Sequence, residues 1–202
     1  MGKVFRIHET YSKFYPTCRH AQPAIEAVID MVKEHSLQKE NIKNITVGTH
    51  EVAYSLTGII KHPKTTAEAK FSIPYGIALA FEEHTVSVKH LYENYRENKT
   101  LNEIANLVTV SVSPSVQALY PQKRGACVTI HLKDGKSFTK ELYDLKGSKN
   151  NPISWDDLVL KFKSNATAVM PKETAEKIVD MSLHFDTLPT ISNFYELLHY
   201  NS

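Results

Sequence analysis

Two alternating runs, Cys127–Leu132 and Ser137–Leu142, flank Asp134-Gly135, and no other feature narrows the folding options of this chain as much. Asp-Gly is a preferred pair for a tight hairpin turn, because both central residues of such a turn take positive φ. The chain therefore holds an antiparallel strand pair. Further strands are expected at Val108–Val112, across residues 43–55, where Ile45, Val47, His50, Val52 and Tyr54 fall, and, shorter, at residues 4–8.

Helices alternate with these strands. Pro23 suits the first helical position, and Ala24, Ile25, Ala27, Val28, Ile29, Met31 and Val32 continue a wide apolar face that fades at Glu34-His35-Ser36. Thr65-x-x-Glu68 fits a capping box, and apolar helical spacing runs on to Phe81, with Pro74 either starting a second segment or kinking one. Residues 87–98 read as helical, and Thr100-x-x-Glu103 reads as a cap opening a short helix through Leu107. Gly147 to Pro152 is a polar loop, after which Ser154-x-x-Asp157 caps a helix bearing Leu158, Val159, Leu160 and Phe162. Residues 172–200 are helical by pattern, with a break at Thr187-Leu188-Pro189. The sum is an α+β fold: a small mixed or antiparallel sheet packed with two long helices over residues 1–165, plus a helical C-terminal extension over 166–202.

Composition excludes several functions. With 202 residues, 42% hydrophobic and 23% charged, the chain can bury a core without staples. Its net charge of +2 and lack of a dense basic run argue against a nucleic-acid partner. No stretch approaches the roughly 18 apolar residues of a membrane helix, and the N-terminus has no apolar run of signal-peptide length. Cys18 and Cys127 lack metal-ligand spacing; a disulfide between them stays open, but two thiols in a chain of this size suit a cytoplasmic, reducing setting. The ten histidines form no metal-binding array, so neither a metal nor a cofactor is expected.

Lys13-Phe14-Tyr15-Pro16-Thr17-Cys18-Arg19-His20 is the segment richest in chemistry. It runs into a helix N-terminus, where backbone amides favour an anion. Lys13 and Arg19 add positive charge, and Arg19 can fork a carboxylate. The same residues also suit a plain turn with an aromatic anchor and two solvated cations. Tyr75 can offer a phenolic donor to a substrate oxygen or sit in the core with its hydroxyl at the edge. Cys18 and His20 are weak candidates for a nucleophile and base, being two residues apart in a loop with no third group. Gly147-Ser148-Lys149-Asn150-Asn151-Pro152 can cradle an anion or simply connect two elements.

Three blocks in order resemble the C-terminal part of the MmgE/PrpD family, which includes 2-methylcitrate dehydratases, cis-aconitate decarboxylase and iminodisuccinate epimerase. They are Lys13–Arg19 with Ala24-Ile25-Glu26-Ala27, then Glu68–Ala80, then Gly147–Ser154 with Lys161-Phe162. The resemblance implies an α+β lid over a large helical domain, with a small di- or tricarboxylate between them. It implies lyase or isomerase chemistry: a proton leaves from beside a carboxylate, followed by loss of water or carbon dioxide or return of the proton to the other face. By matched position, Lys13 and Tyr75 are the implied catalytic contacts, and Arg19, Cys18 and Lys70 the implied substrate-binding residues. Many relatives carry a His where this chain has Gln22, which puts a role for His20 in question. The helical domain would supply the main base, so the chain is expected to be inactive without a separate helical partner or to associate with itself. The competing expectation is a non-catalytic carboxylate-binding or interaction module, the remnant of such an enzyme.

Overall fold

The computed structural model describes residues 6–199, apart from the side chains of Arg6 and His8. The chain forms two compact units, Met1–Pro152 and Ile153–Ser202. The boundary places the helix that begins at Trp155 in the second unit.

The first unit opens with a 3-10 turn, Arg6–Glu9, where a short strand was expected over residues 4–8; residues 4 and 5 lie outside the described residues. Helix α1 spans Gln22–His35, with Pro23 in its first turn and Ser36 in the left-handed region at its C-cap. Strand β1 is Ile42–Thr49. It stops short of the expected residue 55 because the His50 side chain accepts a hydrogen bond from the Ala53 amide and starts a helical turn, α2, Glu51–Ala53. A π-helical turn, Tyr54–Gly58, follows.

The Thr65 capping box forms as the spacing predicts and opens α3, Thr66–Lys70. Pro74 starts a new helix rather than kinking an old one: Ser72 caps α4, Ile73–Glu83, with Pro74 in its first turn. Residues 87–98 form two short pieces, a 3-10 turn at Val88–Leu91 and α5 at Glu93–Arg96. Helix α6, Lys99–Asn106, is capped by Asn98, not by Thr100, because the Asn98 side chain accepts from the Leu101 amide. Strand β2 is Val108–Val112, α7 is Pro114–Ala118, and β3, Ala126–Leu132, and β4, Ser137–Leu142, make the hairpin. The connection differs from the tight turn expected: it is a longer loop, residues 133–136, in which Gly135 takes a positive φ of 91° and Asp134 does not.

The sheet order is β2-β1-β3-β4, with β1 and β2 parallel and the other pairs antiparallel. The sheet is therefore mixed, one of the two arrangements expected. Ile45 and Val47 of β1 and Ala126, Val128 and Ile130 of β3 alternate inward, as a half-covered sheet demands. Helices α1 and α4 share the core with these residues. Their crossing is close at Gly76, where an added Cβ would lie 2.5 Å from Ile25 Cδ1 and 2.9 Å from its Cγ1. Ile25 is fully buried and has no room to yield. Gly76→Val should therefore cost about 2 kcal/mol through overpacking, read as a lower midpoint in urea unfolding with an unchanged slope.

The second unit holds α8, Trp155–Ala166, α9, Lys172–Leu183, and α10, Ser192–Leu198. Ser154 caps α8 through the Asp157 amide, as its spacing predicts. The expected break near Pro189 lies between a 3-10 turn, Phe185–Thr187, and α10. Little of this unit is buried: Ala166, Ala175 and Ile178 form its interior, while Leu160, Leu183, Phe185, Ile191 and Tyr195 are exposed.

Candidate functional site

The three sequence blocks meet at one irregular turn, residues 11–21. The Cys18 amide donates to the Lys70 carbonyl at 2.7 Å, joining the first block to the end of α3. The Ser12 amide donates to the Gly147 carbonyl at 2.9 Å, joining it to the polar loop. Two further links cross the same gap. Arg19 Nη1 donates to the Lys146 carbonyl at 3.2 Å, and the Lys146 amide donates to both Glu26 carboxylate oxygens at 3.1 and 3.2 Å.

Gln22 holds the turn in shape. Its amide nitrogen donates to the carbonyls of Tyr15 and Thr17, at 3.0 and 3.2 Å, while its Oε1 accepts from Arg19 at 2.8 Å. All of these partners are buried, and leaving such groups unpaired would cost about 1–3 kcal/mol each. The position at which many relatives are expected to carry His is thus a three-bond latch here.

The candidate residues have different fates. Lys13 is exposed on the turn. Arg19 is largely buried: it spends two hydrogen bonds on Gln22 and Lys146 and lies over the Tyr11 ring, 4.6 Å from its centroid. Cys18 is half-buried and, like Cys127, a free thiol. Lys70 is exposed and joins the turn through its main chain. Tyr75 takes the second of the two roles its sequence left open, a place in the core. It is fully buried, and its hydroxyl donates to the His90 carbonyl at 2.6 Å. Burial pushes the phenol well above its ordinary pKa. As placed, Tyr75 is a satisfied core residue, not an open donor.

A cleft of about 430 Å³ borders the turn, lined by Tyr11, Arg19, Lys123, Arg124, Ser148 and Lys149 among others. Its full lining sets four cations, Arg19, Lys123, Arg124 and Lys149, against two carboxylates, Glu9 and Asp144, so the cleft is positive on balance. Burial raises the pKa of the Glu26 carboxyl, partly offset by the Lys146 amide and by the charges of Lys146 and Arg19. Among the described residues no group of three or more His, Cys, Asp or Glu can hold a metal, and no helix is long and apolar enough to cross a membrane.

Sequence reading missed one feature of this region. His20 Nδ1 lies 3.3 Å from Nε2 of His50, a residue 30 positions away at the end of β1. Burial of both rings and the nearby charge of Arg124 lower both pKa values, that of His50 to about 4. The available signal was a histidine at the junction of a strand with a capped turn.

Comparison with known proteins identifies the family. The model of the MmgE/PrpD C-terminal domain matches residues 15–187, a span that holds every candidate residue except Lys13. The 2-methylcitrate dehydratase of Salmonella typhimurium is 22% identical over 204 aligned residues, covering 90% of this chain and 42% of that enzyme. The cis-aconitate decarboxylases of Mus musculus and Homo sapiens are each 24% identical over 140 residues, covering 67% of this chain and 28% of theirs. The chain thus spans less than half the length of these relatives. It belongs to the MmgE/PrpD family and represents that family's C-terminal domain.

Proposed function

We propose that this chain is the substrate-covering domain of a lyase-type enzyme that acts on a small di- or tricarboxylate, in the manner of 2-methylcitrate dehydratase or cis-aconitate decarboxylase. It works with a helical domain that supplies the base and is inactive without it. The observation that carries this reading is the convergence of the three family blocks on one cation-rich turn and cleft. Removing a proton from beside a carboxylate builds negative charge, and fixed cations and donors lower that barrier. Lys13 and Lys70 are the exposed cations that would meet substrate, with Arg19 and Cys18 forming the wall behind them. Tyr75 supports that wall from the core rather than touching substrate. The free thiols suit a reducing, cytoplasmic setting.

Titration calorimetry of the full chain with citrate and cis-aconitate tests the binding half of this proposal. Saturable heat is expected, with affinity falling about tenfold in Lys13→Met through loss of one charge-assisted contact. Absence of heat with either acid would sink it. The catalytic half is tested by supplying a relative's helical domain in trans: dehydration of 2-methylcitrate or decarboxylation of cis-aconitate should appear only in the mixture.

A further inference from the structure

The histidine pair is wired in one direction. His50 Nδ1 accepts a hydrogen bond from the Ala53 amide at 3.3 Å, so the proton of its neutral ring sits on Nε2. That nitrogen faces His20 Nδ1 at 3.3 Å and donates to it. His20 must then keep Nδ1 as an acceptor and carry its own proton on Nε2. Protonating His20 at Nδ1 would set two N–H groups against each other, or force His50 to give up its cap. The His50 ring is 1% exposed and stacked on Tyr120, with centroids 4.2 Å apart and planes at 17°, so it cannot turn away.

His20 is half-buried, and among the described residues its Nε2 has no hydrogen-bond partner. Arg124 stands nearby. The Thr49 hydroxyl donates to the Gly125 carbonyl at 3.1 Å, which lays Arg124-Gly125 beside Thr49-His50. The charge of Arg124 is felt at Arg19, His20 and His50. Arg124 is exposed, lines the cleft and has no ion pair among the described residues. Among the described residues, an imidazole N–H without an acceptor and a guanidinium without an ion pair therefore lie on adjoining stretches of chain; Arg124 lines the cleft together with Glu9 and Asp144, and His20 stands beside it.

We propose that His20 and Arg124 form a carboxylate subsite beside the cleft and that His50 is the positioning residue that holds His20 as its donor. Arg124 supplies charge and a fork for two oxygens. His20 supplies a neutral N–H whose direction is set before the ligand arrives, so little ordering cost remains at binding. This inference rests on reading the cleft as a polycarboxylate site, and it names which residues hold one of the carboxylates.

The test is a long-range histidine nitrogen–proton NMR spectrum of the full chain at neutral pH, followed by titration with citrate. His20 should show a bare Nδ1 and a protonated Nε2. Citrate should shift His20 Nε2 and Arg124 Nε together along one saturating curve. Arg124→Met should weaken that curve at least tenfold. His50→Asn keeps a side chain able to cap the Ala53 amide but removes the ring; it should leave His20 in mixed tautomers and weaken citrate several-fold. Should His50→Asn also lower the melting temperature, the exposed Arg124→Met gives the deciding measurement. The proposal is overturned by a His20 proton on Nδ1, by citrate binding that moves neither residue, or by inorganic phosphate moving both with equal affinity. Citrate shifts confined to the Lys13 region would overturn the subsite while leaving the carboxylate reading standing. Shifts at His20 and Arg124 without turnover in the reconstituted mixture would support the subsite and remove the enzymatic reading.

Discussion

Tyr75→Phe should cost about 1–2 kcal/mol of stability and Tyr75→Ala about 3–5 kcal/mol, read from urea unfolding followed by circular dichroism. The smaller loss is one buried hydrogen bond and the stranded His90 carbonyl; the larger adds the cavity left by a fully buried ring. The same pair of variants separates the two roles open to this residue. A phenol that meets substrate would leave Tyr75→Phe as stable as the parent and weaken ligand binding instead. A core phenol gives the reverse: a stability loss in both variants, and citrate affinity in Tyr75→Phe within about twofold of the parent at temperatures where it is folded, since a neutral pair that does not touch the ligand shifts binding little.

Acid should loosen the first unit before its carboxylates titrate. His50, His20 and His90 all have folded pKa values below 6.5, each chiefly because burial disfavours the charged ring. The unfolded chain binds these protons first. Stability is therefore complete above about pH 6.5 and falls as pH drops toward the folded value, which for His50 is about 4. A shift of that size corresponds to about 3 kcal/mol at most, and nearer about 2 kcal/mol once water around the pair is allowed for. Glu26 works the other way: its raised pKa makes the folded state the better proton binder, so acid partly restores stability there. Three histidines outweigh one glutamate, and the net expectation is a fall in melting temperature between pH 6.5 and 4.5. His50→Asn should flatten that slope. An unchanged melting temperature across this interval would show that the rings are charged in the fold.

The hairpin, the β2 strand, α1 and two of the three expected caps were legible because each rests on local chemistry. Gly135 needs positive φ, Pro23 needs a first turn, and Thr65 and Ser154 hold amides three residues away, whereas the Ser72 cap of α4 was not foreseen. Strand β1 was overextended because Val52 and Tyr54 continue its β-rich composition, while the His50 cap that ends it depends on side-chain geometry. At the site, the turn itself was visible in its residues, but its partners were not. The bonds from Arg19 to Lys146 and from His20 to His50 span 127 and 30 positions, beyond any periodicity in the chain. Tyr75 had two roles open at the level of sequence, and only the position of the His90 carbonyl chooses between them.

The turn at residues 11–21 contains no helix or strand before α1, yet it is bonded to position 70 and to positions 146 and 147. In polymer terms it is a junction at which three distant stretches are cross-linked without a covalent bond. Loops of such length close late, because their ends must be found before any contact rewards the search. This wall of the cleft therefore forms only when α3 and the loop after β4 have both docked. A ligand that settles there binds the finished fold and no partial one, so its free energy of binding is added to the stability of the whole first unit.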